Sequence, residues 1–336
     1  MPLAFEKMQN HIEEWLAETL VDMDIVFAHN VMTQHFNMPL LSALHRQLDQ
    51  GKIRHLVVWC HDLSRYVNPL SGVPQRFGFP WDLLRTYRSD VTYVAVSQQR
   101  RYQLADILDC PNERIHVVPN GVDFVNLLGL SDLGQQLVDA YHLLETDLMI
   151  LMPIRITRAK NIEFALHVTA ALKRSGLRPK LVVTGPPDPH VVEIGVYFDQ
   201  LRDLRKELGL VEDAIFVYEG TSGLPRPQIL DFSEVAELYR LCDLVLMPSH
   251  REGFGMPVLE SGLVGRPIFV AETVPIVNEI GENLVHRIEK GESPEAVANR
   301  ILELIRLDPT FNLRRCVRQT YTWPAIFAQS IKRSAA

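Results

Sequence analysis

The chain has 336 residues, of which 47% are hydrophobic and 22% charged, with a formal net charge of −7. That length accommodates two domains of ordinary size, and the composition is that of a folded globular protein. The acidic balance forces no basic surface and so excludes nucleic acid as an expected partner, and no apolar run approaches the roughly 18 residues of a membrane span.

Apolar residues recur at helical spacing over 3–20. A short buried strand is predicted over 24–28 (DIVFA), ending at His29-Asn30. A helix over 39–48 follows, then a second buried strand over 54–59 (RHLVVW), ending at Cys60-His61-Asp62. The next strand, 91–96, leads through Ser97, a good N-cap, into a helix over 98–108. The strand over 115–118 stops at Pro119-Asn120-Gly121-Val122-Asp123. Residues 135–146 carry the chain into a second series. Its strands are 148–154, 180–184, 214–217, 244–247 and 267–270; its helices are 161–175, 191–208 and 232–240. Helices over 293–307 and 321–334 close the chain. Apolar strands alternating with helices predict α/β architecture: parallel sheets covered on both faces, in two doubly wound halves with a cleft at the carboxyl ends of their strands.

The cysteines (Cys60, Cys110, Cys242, Cys316) are far apart and form no C-x-x-C pair, which reads as reduced thiols and neither a disulfide framework nor a zinc site. The N-terminal 20 residues are amphipathic and acidic and lack the regions of a signal peptide, so a cytoplasmic location is expected. No carboxylate or histidine cluster has metal-ligand spacing, and Asp22-Met23-Asp24 leads into a strand instead of ending one; no metal or cofactor is expected.

The most informative segment is 248–260, PSHREGFGMPVLE, directly after the apolar run LCDLVLM. It holds Glu252 and Glu260 with seven residues between them, a flexible Gly253-Phe254-Gly255 turn, and a helix start at Met256 with Pro257 in its first turn. A strand, a Gly-rich turn and a helix N-terminus present free N–H groups to an anion. Carboxylates at each end of such a turn suit the vicinal hydroxyls of a sugar or ribose. Upstream, Arg155 and Lys160 follow the LMILMPI strand. At a parallel strand end they overlook the cleft, although with Arg158 between them the segment taken alone also reads as a solvated basic loop.

The 248–260 segment resembles the signature of the retaining family-4 glycosyltransferases of the GT-B fold (glycosyl transferases group 1), and the resemblance extends over nearly the whole chain. It implies two Rossmann-like domains: 1–145 on the acceptor side, with 321–336 packing back on it, and 146–320 binding the nucleotide sugar. It implies that Arg155 and Lys160 neutralise a diphosphate, that Glu252 meets the transferring sugar and Glu260 the ribose, and that the turn Gly253-Phe254-Gly255 belongs to the donor site, its glycines bringing backbone close to the donor; the Phe254 ring itself reads as core packing. It places His61 near the anomeric carbon, beside its reading as a structural histidine. His29 and Asn30 would line the acceptor side. Asn120-Gly121 would line the cleft, or form an ordinary Asn-Gly turn. Thr184-Gly185 and Tyr218-Glu219-Gly220 would form the base pocket.

The implied activity is retaining transfer of a hexose from a nucleoside diphosphate sugar to an acceptor hydroxyl without a metal. The acceptor (sugar, small polyol or lipid-linked), the oligomeric state and any peripheral membrane contact stay open. The alternatives are a nucleotide-sugar epimerase of similar fold and a non-catalytic nucleotide-sugar binder. The family's first domain opens with a further strand and a Gly-rich loop that have no match here, so a shortened first domain is expected.

Overall fold

The computed structural model describes residues 3–220, 224, 227–280 and 282–331. The chain divides into two units, one of Met1–Gly121 with Ile326–Ala336 and the other of Val122–Ala325.

In the first unit, β1 (Val26–His29), β2 (Leu56–Cys60), β3 (Val91–Ala95) and β4 (Ile115–Val117) pair in that order, all parallel. Residues alternate between the faces of the sheet. Leu56, Val58, Cys60, Tyr93 and Ala95 join the core under α1 (Leu3–Thr19), α2 (Met38–Asp49) and α3 (Gln98–Leu108). Val57, Trp59 and Val94 face the other way, clustered with Val118 and Ile326. The strand expected to be buried over 24–28 is instead an edge strand shifted to Val26–His29. Ile25 and Phe27 are exposed because an edge strand has a neighbour on one side only.

The second unit opens with α4 (Phe124–Leu128) and α5 (Asp132–Ala140). Phe124, Leu137, Val138 and Leu143 pack with Met149, Leu151 and Val245 of this unit's sheet, so the division falls after Gly121 and not after residue 145. The strands are β5 (Leu148–Met152), β6 (Pro179–Val183), β7 (Ala214–Phe216), β8 (Leu244–Met247), β9 (Ile268–Ala271) and β10 (His286–Ile288). Among the described residues they form one parallel sheet in the order β10-β9-β8-β5-β6-β7. Along β5 the side chains alternate between two cores: Leu148, Ile150 and Met152 in one, Met149 and Leu151 in the other. A strand buried on both faces requires this, and it explains the continuous apolar run. The helices are α6 (Ile162–Arg174), α7 (Ile194–Glu207), α8 (Phe232–Leu241), α9 (Met256–Leu263), α10 (Ile276–Ile280), α11 (Pro294–Leu307), α12 (Pro309–Thr320) and α13 (Trp323–Ile326).

The closing helix expected over 321–334 is interrupted. Asp308 caps α12, the backbone turns at Tyr321, α13 restarts with Pro324 in its first turn, and a π-turn runs over Phe327–Ile331. Residues 332–334 lie outside the described part. The two Rossmann-like α/β units agree with the fold class read from the sequence.

Candidate functional site

Counted from β5, the second sheet has the strand order 3-2-1-4-5-6. The order reverses between β5 and β8, and open parallel sheets bind ligands at the carboxyl ends of the strands flanking that switch. The loops leaving those two strands carry the cationic and acidic residues singled out in the sequence.

The two loops are stitched together by hydrogen bonds. The His250 N–H donates to the Ala159 carbonyl at 2.8 Å, and the Asn161 side-chain amide donates to the Pro248 carbonyl at 3.1 Å. The left-handed backbone of Asn161 (φ 53°) ends the short 3-10 turn Arg158–Lys160 and starts α6. The loop after β9 is tied in as well, with Thr273 Oγ1 donating to the Ser249 carbonyl at 2.7 Å and the Ile276 N–H donating to the Phe254 carbonyl at 3.1 Å. On this frame Lys160 Nζ donates to Glu252 Oε1 at 2.5 Å, and Ser249 Oγ donates to the same oxygen at 2.9 Å. The ion pair is half-sheltered, with 20% of the Lys160 and 11% of the Glu252 side chain exposed. Arg155 is exposed and makes no hydrogen bond or ion pair to the described residues. Arg158, between them, is committed elsewhere: it donates to Gln200 at 2.8 Å and stacks over Tyr197.

Gly255 is buried, with φ 110°, and a Cβ there would lie 2.5 Å from Val274 Cγ1 and 2.9 Å from Ile276 Cγ2. Glycine is therefore required by both backbone and packing. A Cβ at Gly253 would meet nothing within 4 Å, which leaves that position open for a ligand to approach. The expectation that the Phe254 ring packs in the core is corrected: it is 41% exposed, because the apolar anchor of the turn is the Gly255 backbone, seated against Val274 and Ile276. Gly185 is needed for the frame itself, since a Cβ would lie 2.3 Å from the Ile154 carbonyl oxygen. Its N–H donates to that carbonyl at 3.0 Å, and the Ile156 N–H donates to the Pro186 carbonyl at 3.0 Å, so the segment carrying Arg155 is zipped to the end of β6. In α9, Glu260 accepts from Tyr239 Oη at 2.6 Å. Burial, then the Glu260 carboxylate, pushes the Tyr239 phenol well above its ordinary value. Glu219 is held by Arg205 and Arg202. Ser249 and Tyr239 were not singled out in the sequence. Ser249 lies inside the motif and could have been; Tyr239 lies on another helix, with no local signal.

In the first unit, the ends of β1 and β2 bring His29 and His61 together. His29 Nδ1 and His61 Nε2 share a hydrogen bond of 3.0 Å, the rings stack at 5.3 Å, and His29 stacks on Trp59 at 5.5 Å. Burial, then the neighbouring His61, holds His29 below the ordinary imidazole value. Asn30 adopts the left-handed conformation (φ 58°), and its Oδ1 accepts from the His61 N–H at 2.8 Å and the Asp62 N–H at 3.0 Å, fixing the turn after β2. Asn120 is exposed at the end of the unit and is joined to neither histidine by a hydrogen bond. Among the described residues, no group of three or more His, Cys, Asp or Glu converges as a metal site.

Comparison with known proteins matches residues 136–322 to the family Glycosyl transferases group 1, more than half of the chain, and residues 1–125 to Glycosyltransferase Family 4. The chain is 26% identical over 180 residues to a putative glycosyltransferase EpsF of Bacillus subtilis (strain 168), covering 54% of this chain and 42% of that protein. It is 26% identical over 253 residues to a D-inositol 3-phosphate glycosyltransferase of Frankia alni, covering 73% of this chain and 58% of that one. The chain thus spans about half the length of these curated relatives. Among solved structures, the Anabaena protein Alr3699/HepE in complex with UDP and glucose aligns with 96% of this chain and 81% of its own, at 19% identity and a TM-score of 0.41.

Proposed function

This chain belongs to the glycosyl transferases group 1 family, and from that premise we propose that it moves a hexose from a nucleoside diphosphate sugar to an acceptor hydroxyl with retention at the anomeric carbon. The observation that carries the reading is the Lys160–Glu252 pair at the β5/β8 switch point, with Arg155 uncommitted beside it on the same loop. A diphosphate offers Lys160 a denser negative charge than one carboxylate does. Its arrival frees Glu252 to accept from sugar hydroxyls while Ser249 keeps it oriented. Arg155 supplies a fork to the phosphate oxygens. Glu260, one turn further into α9 and aimed by Tyr239, is assigned to the ribose.

In the transfer, the anomeric carbon–oxygen bond to the diphosphate breaks as the bond to the acceptor oxygen forms on the same face. The acceptor's proton passes to the leaving phosphate oxygen. Arg155 and Lys160 stabilise the charge developing there, a contribution that grows in a site sheltered from water, and they take the place of a divalent cation. Turnover against a panel of nucleoside diphosphate hexoses, with the product's anomeric configuration read by NMR, tests the proposal. Transfer with retention that survives EDTA is expected. Inversion, an epimerised donor, or complete metal-reversible inhibition would overturn it.

A further inference from the structure

The second unit carries a cleft at the end of its sheet that the transfer chemistry does not use. Among the described residues β10 is the edge strand, and its first residue, His286, stands in register with Phe269 of β9. His286 shares a face with Ile288, two residues on, and that face is the one α6 and α11 cover. The His286 ring lies flat on Phe269, with centroids 4.6 Å and planes 14° apart. α11 begins at Pro294, past the carboxyl end of β10, and runs back so that its last turns finish beside that ring. Between helix and strand lies a cleft of about 380 Å³, lined by His286, Arg300, Glu303, Leu304, Leu307 and Asp308. That volume suits a small organic molecule.

The lining fixes the kind of molecule. Leu304 packs partly on the core and Leu307, one turn on along the same helix face, is 64% exposed, so the cleft has an apolar side that gains by leaving water. Arg300 is the one arginine or lysine of the lining, and its charge is already met: Nη1 donates to both oxygens of Glu292 at 3.0 Å and to the Arg287 carbonyl at 2.7 Å. Burial, then Arg300, holds His286 below the ordinary imidazole value, so it adds no positive charge at neutral pH. The carboxylates are the reverse. Glu303 is exposed and makes no hydrogen bond or ion pair to the described residues. Asp308 caps α12 through Oδ1, which accepts from the Thr310 N–H at 2.8 Å, and no cation among the described residues meets it. Neither belongs to a group of three or more metal-ligating side chains among the described residues, which disfavours a bare metal ion.

We propose that this cleft binds a small organic amine, its ammonium held by Glu303 and Asp308 and its apolar or aromatic body laid on Leu304, Leu307 and the His286 ring. The donor loops leave the opposite, carboxyl ends of β5 and β8, so the amine and a nucleoside diphosphate should bind independently.

The test is calorimetric titration of the full chain with tryptamine and with indole-3-acetate, which carries the same ring system and the opposite charge. Tryptamine should bind at one site and indole-3-acetate far more weakly. Glu303→Gln, an exposed change, should weaken tryptamine roughly tenfold or more, the scale of one charge-assisted hydrogen bond. Leu307→Ser should also weaken it, through the apolar contact and not the charge. A nucleoside diphosphate should neither displace tryptamine nor lose affinity in either variant. Unchanged thermal melting shows that the variants fold. No binding of tryptamine at millimolar concentration would overturn the proposal, as would undiminished binding by Glu303→Gln. Tighter binding of indole-3-acetate than of tryptamine would show that Arg300 and His286 rule the cleft instead. Displacement of tryptamine by the nucleoside diphosphate would move it to the donor loops, and that too would overturn the proposal.

Discussion

Lys160 and Glu252 are each other's partners before any ligand arrives, which gives their variants opposite signatures. Lys160→Ala should lose a charge-assisted contact of about 1.5–3 kcal/mol to a nucleoside diphosphate, read by calorimetry. Glu252→Gln releases the ammonium from its carboxylate. It should leave nucleoside diphosphate affinity equal or higher while weakening the intact nucleotide sugar; loss of both ligands alike would contradict the assignment. The two glycines of the turn should also separate. Gly255→Ala meets a left-handed backbone and a methyl contact of 2.5 Å, and should cost upwards of about 1–3 kcal/mol in a denaturant melt. Gly253→Ala meets open space and should stay within about 0.5 kcal/mol. At this scale PSHREGFGMPVLE was legible because its chemistry is local: carboxylate, glycine turn and helix start lie within one short segment. The His29–His61 stack and the Tyr239–Glu260 bond were not, because parallel strand pairing and helix packing bring together residues 32 and 21 positions apart.

The elements that hold the switch point depend on a buried ionic joint that no periodicity announces. Arg318 of α12 donates to both oxygens of Asp243, at 3.1 and 3.0 Å, and to the Thr146 carbonyl at 2.9 Å; Asp243 Oδ2 in turn accepts from the Met149 N–H at 2.8 Å. The joint clamps α12 to the starts of β5 and β8. Asp243→Ala would strand a buried guanidinium, and a loss of about 3–5 kcal/mol in a denaturant melt is expected. A loss under about 1 kcal/mol would show that water relieves Arg318. The strands most legible in sequence were those buried on both faces, β5 and β8, whose apolar runs are too short for a helix and end at Pro153 and Pro248. β10 escaped notice because its three residues, His286–Ile288, have no apolar run and become a strand only by pairing with β9. α12 escaped because its sequence is strongly polar; its Asp308-Pro309 start was its one local signal.

On the scale of the whole molecule, histidines set the acid limit of stability. His45 is buried with no partner for Nε2, and burial, then Arg88, holds it below the ordinary imidazole value, against smaller opposing effects of Asp49, the Leu83 carbonyl and Asp90. His286, stacked on Phe269, is lowered by burial and then by Arg300. A lowered folded value means that the unfolded chain takes up the proton first. Stability is therefore complete above about pH 6.5 and is lost as pH falls below it, by at most about 1.4 kcal/mol per pH unit for each group. Melting temperatures from pH 7.5 to 5 should decline, and His45→Leu should flatten the decline; a flat parent profile would contradict this. A second loss belongs to lower pH: Asp147, its burial outweighed by Arg178 and Gln319, titrates at about 2. Two α/β units were legible because strand-helix alternation runs the length of the chain. Their boundary was not, because residues 122–145 resemble a linker until Phe124, Leu137, Val138 and Leu143 are seen against the second sheet. The proposed function requires the β5/β8 switch point to hold a nucleotide sugar through its diphosphate. Calorimetric titration of a nucleoside diphosphate into the parent chain and into Arg155→Ala/Lys160→Ala tests it most directly. Binding by the parent is expected, with a loss of about a hundredfold or more in the double variant, from two charge-assisted contacts. Equal affinity in the two proteins would contradict it.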